Sequence, residues 1–160
     1  MYYNPEIHNR KTIRLKDYDY SKEGMYYITI CTNDRDKILG SIIDTKVKLS
    51  VYGEIVNKEW LGLERRFRSI KLHAYVIMPN HIHAIIELKS MNKNILGDII
   101  KTYKSMCSKK CNQLNKVSGI TIWQRNFHEY VIRNEKDYYI KYEYIINNPY
   151  RWNEDDLYID

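Results

Sequence analysis

The sequence predicts an α+β fold: a ferredoxin-like (RRM-like) antiparallel sheet with helices on one face and a C-terminal tyrosine-bearing helix. Three observations predict it. Segments of strand and helix patterning follow one another as β, α, β, β, α, β, α, which is not the strict βαβα alternation of a doubly wound sheet. Two apolar runs are separated only by Pro79-Asn80, a turn signal that makes them a hairpin. The longest periodic run, 95–115, is apolar on one side and lysine-rich on the other, as a helix lying on a sheet should be.

Taken in order, residues 1–20 are polar and read as an irregular basic arm carrying Arg10, Lys11, Arg14 and Lys16. Residues 25–32 are rich in aromatic and β-branched side chains and read as a strand. Residues 46–49 read as a short edge strand. Over 52–67 the apolar positions Ile55, Val56, Trp60, Leu63 and Phe67 have helical spacing. Residues 71–78 and 81–88 are the strands of the hairpin. The helix over 95–115 has the stripe Leu96, Ile99, Ile100, Tyr103, Met106, Cys107 and Leu114. Residues 121–123 and 129–132 read as strand pieces. Asn134 then caps a last helix, with Glu135 and Asp137 in its first turn. That helix runs to about Asn148, because Pro149 biases its predecessor away from helix.

The 160 residues fit one domain, 1–160, long enough to bury roughly 70% of the unfolded surface. Three cysteines, an odd count, do not form a closed disulfide framework. No apolar run approaches membrane-spanning length, and the first residues lack the apolar core of a secretory signal, so the chain reads as cytoplasmic with no membrane partner. The net charge of +6 favours anionic partners, and it is localised. Between Lys89 and Lys116 lie seven lysines and one acid, Asp98, while Arg65, Arg66, Arg68 and Lys71 form a second basic cluster. The tail is acidic, with Glu154, Asp155, Asp156 and Asp160. Sixteen tyrosines offer stacking surface with a hydroxyl attached.

The residues fit for chemistry centre on Pro79-Asn80-His81-Ile82-His83. Alternate side chains of a strand share a face, so His81 and His83 point the same way, with Cα atoms about 7 Å apart. Two imidazoles so placed can converge on one cation, while Ile82, Ala84, Ile86 and Leu88 pack on the helices from the opposite face. A metal site needs a further protein ligand. The last helix offers two pairs four apart, Tyr144 with Asn148 and Tyr139 with Glu143, each setting a phenol beside an oxygen ligand. A phenol, with its ordinary pKa of about 10, attacks a phosphate only where a cation neutralises that phosphate.

The Pro-Asn-His-Ile-His block, followed 61 residues after His83 by the helical Tyr144, resembles the HUH single-tyrosine transposases of the insertion sequence 200/605 family. The closer resemblance is to their REP-associated tyrosine transposase branch. Further matching blocks are 10–15, 26–32, 75–83, 122–133 and 144–149, together most of the chain. The resemblance implies a DNA transposase that nicks and rejoins single-stranded DNA at hairpin-flanked sites. A tyrosine attacks a backbone phosphate, forming a 5′-phosphotyrosine and freeing a 3′-hydroxyl, with Mg²⁺ or Mn²⁺ as cofactor. Carried onto this chain, His81, His83 and Asn148 are metal ligands and Tyr144 is the nucleophile. The position five residues before Pro149 matches the family's nucleophile, which selects Tyr144 over Tyr139. The relatives are monomers or homodimers.

DNA contacts are expected from charge and position: Arg10, Lys11 and Arg14 in the arm, and Lys101, Lys104, Lys109 and Lys110 on the long helix. His128 is a candidate accessory residue, and His73 reads as structural. Competing readings are a DNA-binding relative that has lost nicking, a metal-dependent phosphodiesterase that uses water, and a ferredoxin-like RNA binder.

Overall fold

The computed structural model describes residues 23–89 and 95–160. Among them, four strands form one antiparallel sheet: β1 (Gly24–Cys31), β4 (Ile70–Met78), β5 (His81–Leu88) and β6 (His128–Ile132). Their order across the sheet is β4-β5-β1-β6. The expected hairpin about Pro79-Asn80 is β4–β5. Counting only these four, the order is second, third, first, fourth, the antiparallel ferredoxin-like arrangement the sequence predicts.

Alternation along β1 and β5 divides the sheet into two chemically different faces. In register, Ile28 pairs with Ala84 and Ile30 with Ile82, and these residues are buried on one face. They pack with Val56 and Trp60 of α1 (Val51–Leu61) and with Ile99, Ile100 and Tyr103 of α3 (Leu96–Leu114). Thr29 pairs with His83 and Cys31 with His81, and this row belongs to the other face. Against it lies α4 (Glu135–Asn147). The last helix is therefore set apart from α1 and α3 by the sheet.

Several local expectations change. The helix expected over 52–67 breaks at Gly62, giving α1 and a single turn, α2 (Leu63–Arg66). Residues 46–49 do form a strand, β3 (Lys46–Leu49), but it is not an edge of the main sheet. It pairs with β2 (Gly40–Ile43) in a separate two-stranded ribbon. The run 121–123 is no strand: it makes one bridge, Trp123 with Thr32 just after β1, and its Ile122 and Trp123 are buried in the core. The expected Asn134 cap forms, and Ser50 caps α1 in the same way. Ser50 Oγ accepts from the Gly53 N–H, and Asn134 Oδ1 accepts from the Asp137 N–H.

Candidate metal and nucleotidyl-transfer site

The site forms where the exposed-face histidines of β5 meet the C-terminal end of α4. His81 and His83 are buried, with their rings 4.4 Å apart. The neighbours of each imidazole determine which nitrogen faces the site. Asn80 donates its amide to the Leu157 carbonyl, so its Oδ1 is the acceptor facing His81 Nδ1 at 2.8 Å. His81 thus carries its proton on Nδ1 and turns the Nε2 lone pair inward. His83 Nδ1 sits 2.7 Å from the Tyr27 hydroxyl and 2.8 Å from Thr29 Oγ1, which leaves its Nε2 facing the site. Burial, and then the neighbouring His83, push the His81 pKa down to about 3. Burial likewise lowers that of His83. Both rings are neutral near pH 7, the form that ligates a cation.

Helix α4 brings Tyr144 and Asn148 to the same place. The Tyr144 ring lies 5.2 Å from His83, edge to face. Asn148, one turn further, is 2% exposed. The tail then returns over the site. Trp152 lies against His81 with ring centroids 5.9 Å apart, and Asp155 enters between the two elements. Asp155 Oδ2 accepts hydrogen bonds from the Asn148 amide (2.6 Å) and the Tyr144 hydroxyl (3.2 Å), while Oδ1 accepts from the Leu157 N–H (2.7 Å). Burial works to raise the Asp155 pKa, but the hydrogen bonds it accepts from the Asn148 amide and the Leu157 N–H outweigh it and hold it well below the usual carboxylate range. Burial and the Asp155 charge together push the Tyr144 pKa up to about 12.

Three buried atoms around this point have no hydrogen-bond partner: His81 Nε2, His83 Nε2 and Asn148 Oδ1. Orphaned buried acceptors are costly, and three converging ones call for an electrophile. Asp155 Oδ2 stands 3.8 Å from each Nε2, beyond hydrogen-bonding distance and facing neutral rings, so no ion pair closes the gap. One ligand atom from each of His81, His83 and Asp155 falls within a 4.8 Å cluster. Two imidazoles with oxygen donors fit a divalent ion. The histidines and Asn148 are the residues the sequence singles out. Asp155 is not among them, because it is one acid of an acidic tail and no spacing marks it.

The other candidates fall elsewhere. Tyr139 is exposed and lines a hollow with Met25, Ile132 and Arg133, at the opposite end of α4. His128 opens β6, opposite Thr29, two strands from His83 and so roughly 10 Å away by strand spacing. His73 Nε2 is held by Glu87 at 2.8 Å. Lys104 donates to the carbonyls of Gln124 (2.5 Å), Arg125 (3.0 Å) and Asn126 (3.4 Å), and Lys110 pairs with Glu59. Lys101 and Lys109 are exposed on α3. Arg10, Lys11 and Arg14 lie outside the described residues.

Fold and site together define a class: small α+β proteins that bring a buried histidine pair and an exposed helical tyrosine side by side. Comparison with known proteins places the chain more narrowly. No family model matches it. A relative from Haemophilus influenzae carrying the provisional description of a REP-associated tyrosine transposase is 30% identical over 142 residues, covering 82% of this chain and 73% of its own. A second protein of that organism, uncharacterized, is 35% identical over 178 residues, with 99% and 98% covered. The REP-associated tyrosine transposase of Escherichia coli K12 is 27% identical over 133 residues, covering 81% of this chain and 68% of its own. In fold, the chain is similar to a REP-associated tyrosine transposase solved with a REP hairpin. The TM-score is 0.67 at 23% identity, with 87% of this chain and 74% of that one covered. The chain belongs to the REP-associated tyrosine transposase family.

Proposed function

We propose that this protein nicks and rejoins single-stranded DNA at hairpin-flanked sites through Tyr144, with a divalent cation held by His81, His83 and Asn148 and with Asp155 available as a further oxygen ligand. The observation that carries the proposal is the set of three orphaned buried acceptors beside the Tyr144 phenol. A bound Mg²⁺ or Mn²⁺ would neutralise and polarise a backbone phosphate. Tyr144 supplies the attacking oxygen: its bond to phosphorus forms as the bond from phosphorus to the 3′-oxygen breaks. The phenolic proton is lost and the leaving 3′-oxygen gains one. The products are a 5′-phosphotyrosine and a free 3′-hydroxyl, and the reverse attack rejoins strands without loss of phosphodiester energy. Asn80 sets the His81 tautomer, and Tyr27 and Thr29 hold the His83 ring through Nδ1 with Nε2 facing the site. Relatives named as transposases, one of them solved with a REP hairpin, support a DNA partner for this reading.

The test is a denaturing gel of the protein mixed with labelled single-stranded hairpin DNA from its own flanking sequence. A detergent-resistant adduct that requires Mn²⁺, is lost in EDTA and is lost in Tyr144→Phe is the expected result. Cleavage without an adduct would point to a hydrolase, and metal-independent binding without cleavage to a DNA-binding relative that no longer nicks.

A further inference from the structure

Lys141 stands one turn before Tyr144 on α4, in surroundings unusual for a lysine. Its ammonium lies 4.8 Å from the centroid of the Tyr27 ring and 4.5 Å from that of Tyr130. These two tyrosines are directly opposed on β1 and β6, so the cation sits over a cross-strand aromatic pair on the site face of the sheet. Tyr27 in turn stacks on His83 at 5.5 Å and meets the edge of Tyr144 at 6.4 Å. Lys141 is half-buried, and among the described residues it has no carboxylate partner. Its charge reaches His83, where it helps keep the imidazole neutral.

We propose that Lys141 is a phosphate-binding residue of the Tyr144 site, gripping the single-stranded DNA backbone at or next to the phosphate that Tyr144 attacks. The inference rests on the nicking reading above and adds a residue to it. Two tyrosine faces hold the ammonium in place, no carboxylate among the described residues compensates its charge, and a half-buried cation so placed is suited to an anion from outside. The position suits a DNA phosphate. The nucleophile is one turn away on the same helix, and the exposed Tyr130 and Tyr144 rings beside it offer surface on which a base can stack. In this role Lys141 stabilises the charge that builds on the phosphoryl oxygens during transfer, independently of the cation held by the histidines. The alternative is mechanical: the lysine stem merely props Tyr27 and Tyr130 in position.

Lys141→Met and Lys141→Arg separate the two. Methionine keeps an unbranched apolar chain between the rings and removes the charge; arginine restores charge. Two readouts are needed, with thermal melting to confirm that each variant folds. The first is the single-turnover rate of Tyr144 adduct formation in Mn²⁺. Lys141→Met should slow it roughly a hundredfold, with Lys141→Arg recovering part of the loss. The second is binding of a single-stranded oligonucleotide in a Tyr144→Phe background across a salt series. There Lys141→Met should reduce the log–log salt slope by about 0.7, the value for one phosphate contact on single strands. An unchanged salt slope with a folded variant overturns the proposal, whether or not nicking is seen. A changed slope with no adduct from the wild-type protein would leave Lys141 as a phosphate contact and remove the nicking reading instead. A wild-type adduct with neither rate nor slope altered in Lys141→Met would keep nicking and assign Lys141 the propping role.

Discussion

Tyr144 holds its hydroxyl 3.2 Å from the Asp155 carboxylate, and that carboxylate also takes the Asn148 amide. A negative neighbour disfavours the phenolate, so Asp155 contributes, after burial, to a Tyr144 pKa of about 12. Asp155→Asn removes the charge but keeps the shape. The Tyr144 pKa should then fall toward the ordinary 10 while staying above it, because burial persists. The ultraviolet titration difference between Asp155→Asn and Asp155→Asn/Tyr144→Phe isolates that one phenol. The histidines give the metal-free protein a pH-dependent stability. Below its unfolded pKa of 6.5, His81 takes a proton in the unfolded chain, but the folded protein refuses it down to about 3. The unfolded state therefore binds more protons through this window, and stability falls as pH is lowered. Between pH 6.5 and pH 5 the loss from His81 should be about 1–2 kcal/mol. Urea melts in EDTA measure it, and His81→Gln should flatten the slope. At this scale strand and helix periods put His81 with His83, and Tyr144 with Asn148, on common faces, while the choice of Tyr144 and Asn148 over Tyr139 and Glu143 comes from the family resemblance. Asp155 is brought in by a turn of the tail after Pro149, and no periodicity encodes such a return.

Elements that depend on a regular period are legible, and those that depend on a single backbone conformation are not. The ribbon β2–β3 turns at Asp44-Thr45, both in the left-handed region at φ 49 and 61. Such a turn usually advertises itself with glycine, and Thr45 hides it. The break between α1 and α2 falls at Gly62, whose φ of −76 is ordinary helical backbone, so helical spacing runs straight through it. Helix α1 also depends on close backbone approach. Gly53 lies against the Leu39 carbonyl, which accepts the Ser50 N–H at 2.9 Å, and an added methyl would collide with that oxygen. Gly53→Ala should destabilise the protein by about 1–3 kcal/mol despite alanine's better helix propensity, as read by chemical denaturation. A gain in stability would mean that α1 slides away from Leu39 freely. Helices α1 and α3 are tied by Glu59 and Lys110, where Glu59 is buried and the lysine side chain is 41% exposed. Lys110→Ala should cost on the order of 1 kcal/mol, a buried-pair loss discounted for solvent screening, by leaving the carboxylate unpaired. Lys110 is thus a clamp between helices as well as part of a charge run.

Across the whole molecule, the sheet separates two jobs. One face and its helices α1 and α3 form the apolar core; the other carries the histidines, Tyr27, Lys141 and α4. The ferredoxin-like order brings β5 and β1 together at the centre, so the His pair rests on strands paired along both edges. Of the lysines on α3, Lys104 is spent on three loop carbonyls ahead of β6 and Lys110 on Glu59, whereas Lys101 and Lys109 remain exposed. A phosphate-tracking role for this helix would therefore fall on Lys101 and Lys109. If they touch the DNA backbone, Lys101→Gln/Lys109→Gln should weaken hairpin binding and lower the log–log salt slope by about 1.4 to 1.8, the range for two phosphates on single or double strands. Lys104→Gln serves as the contrast: it frees three carbonyls, so its loss should appear in thermal melting and not in the slope. A slope unchanged in the double variant would mean that α3 faces away from the nucleic acid, and would shift the electrostatic contact toward Arg65, Arg66, Arg68 and Lys71.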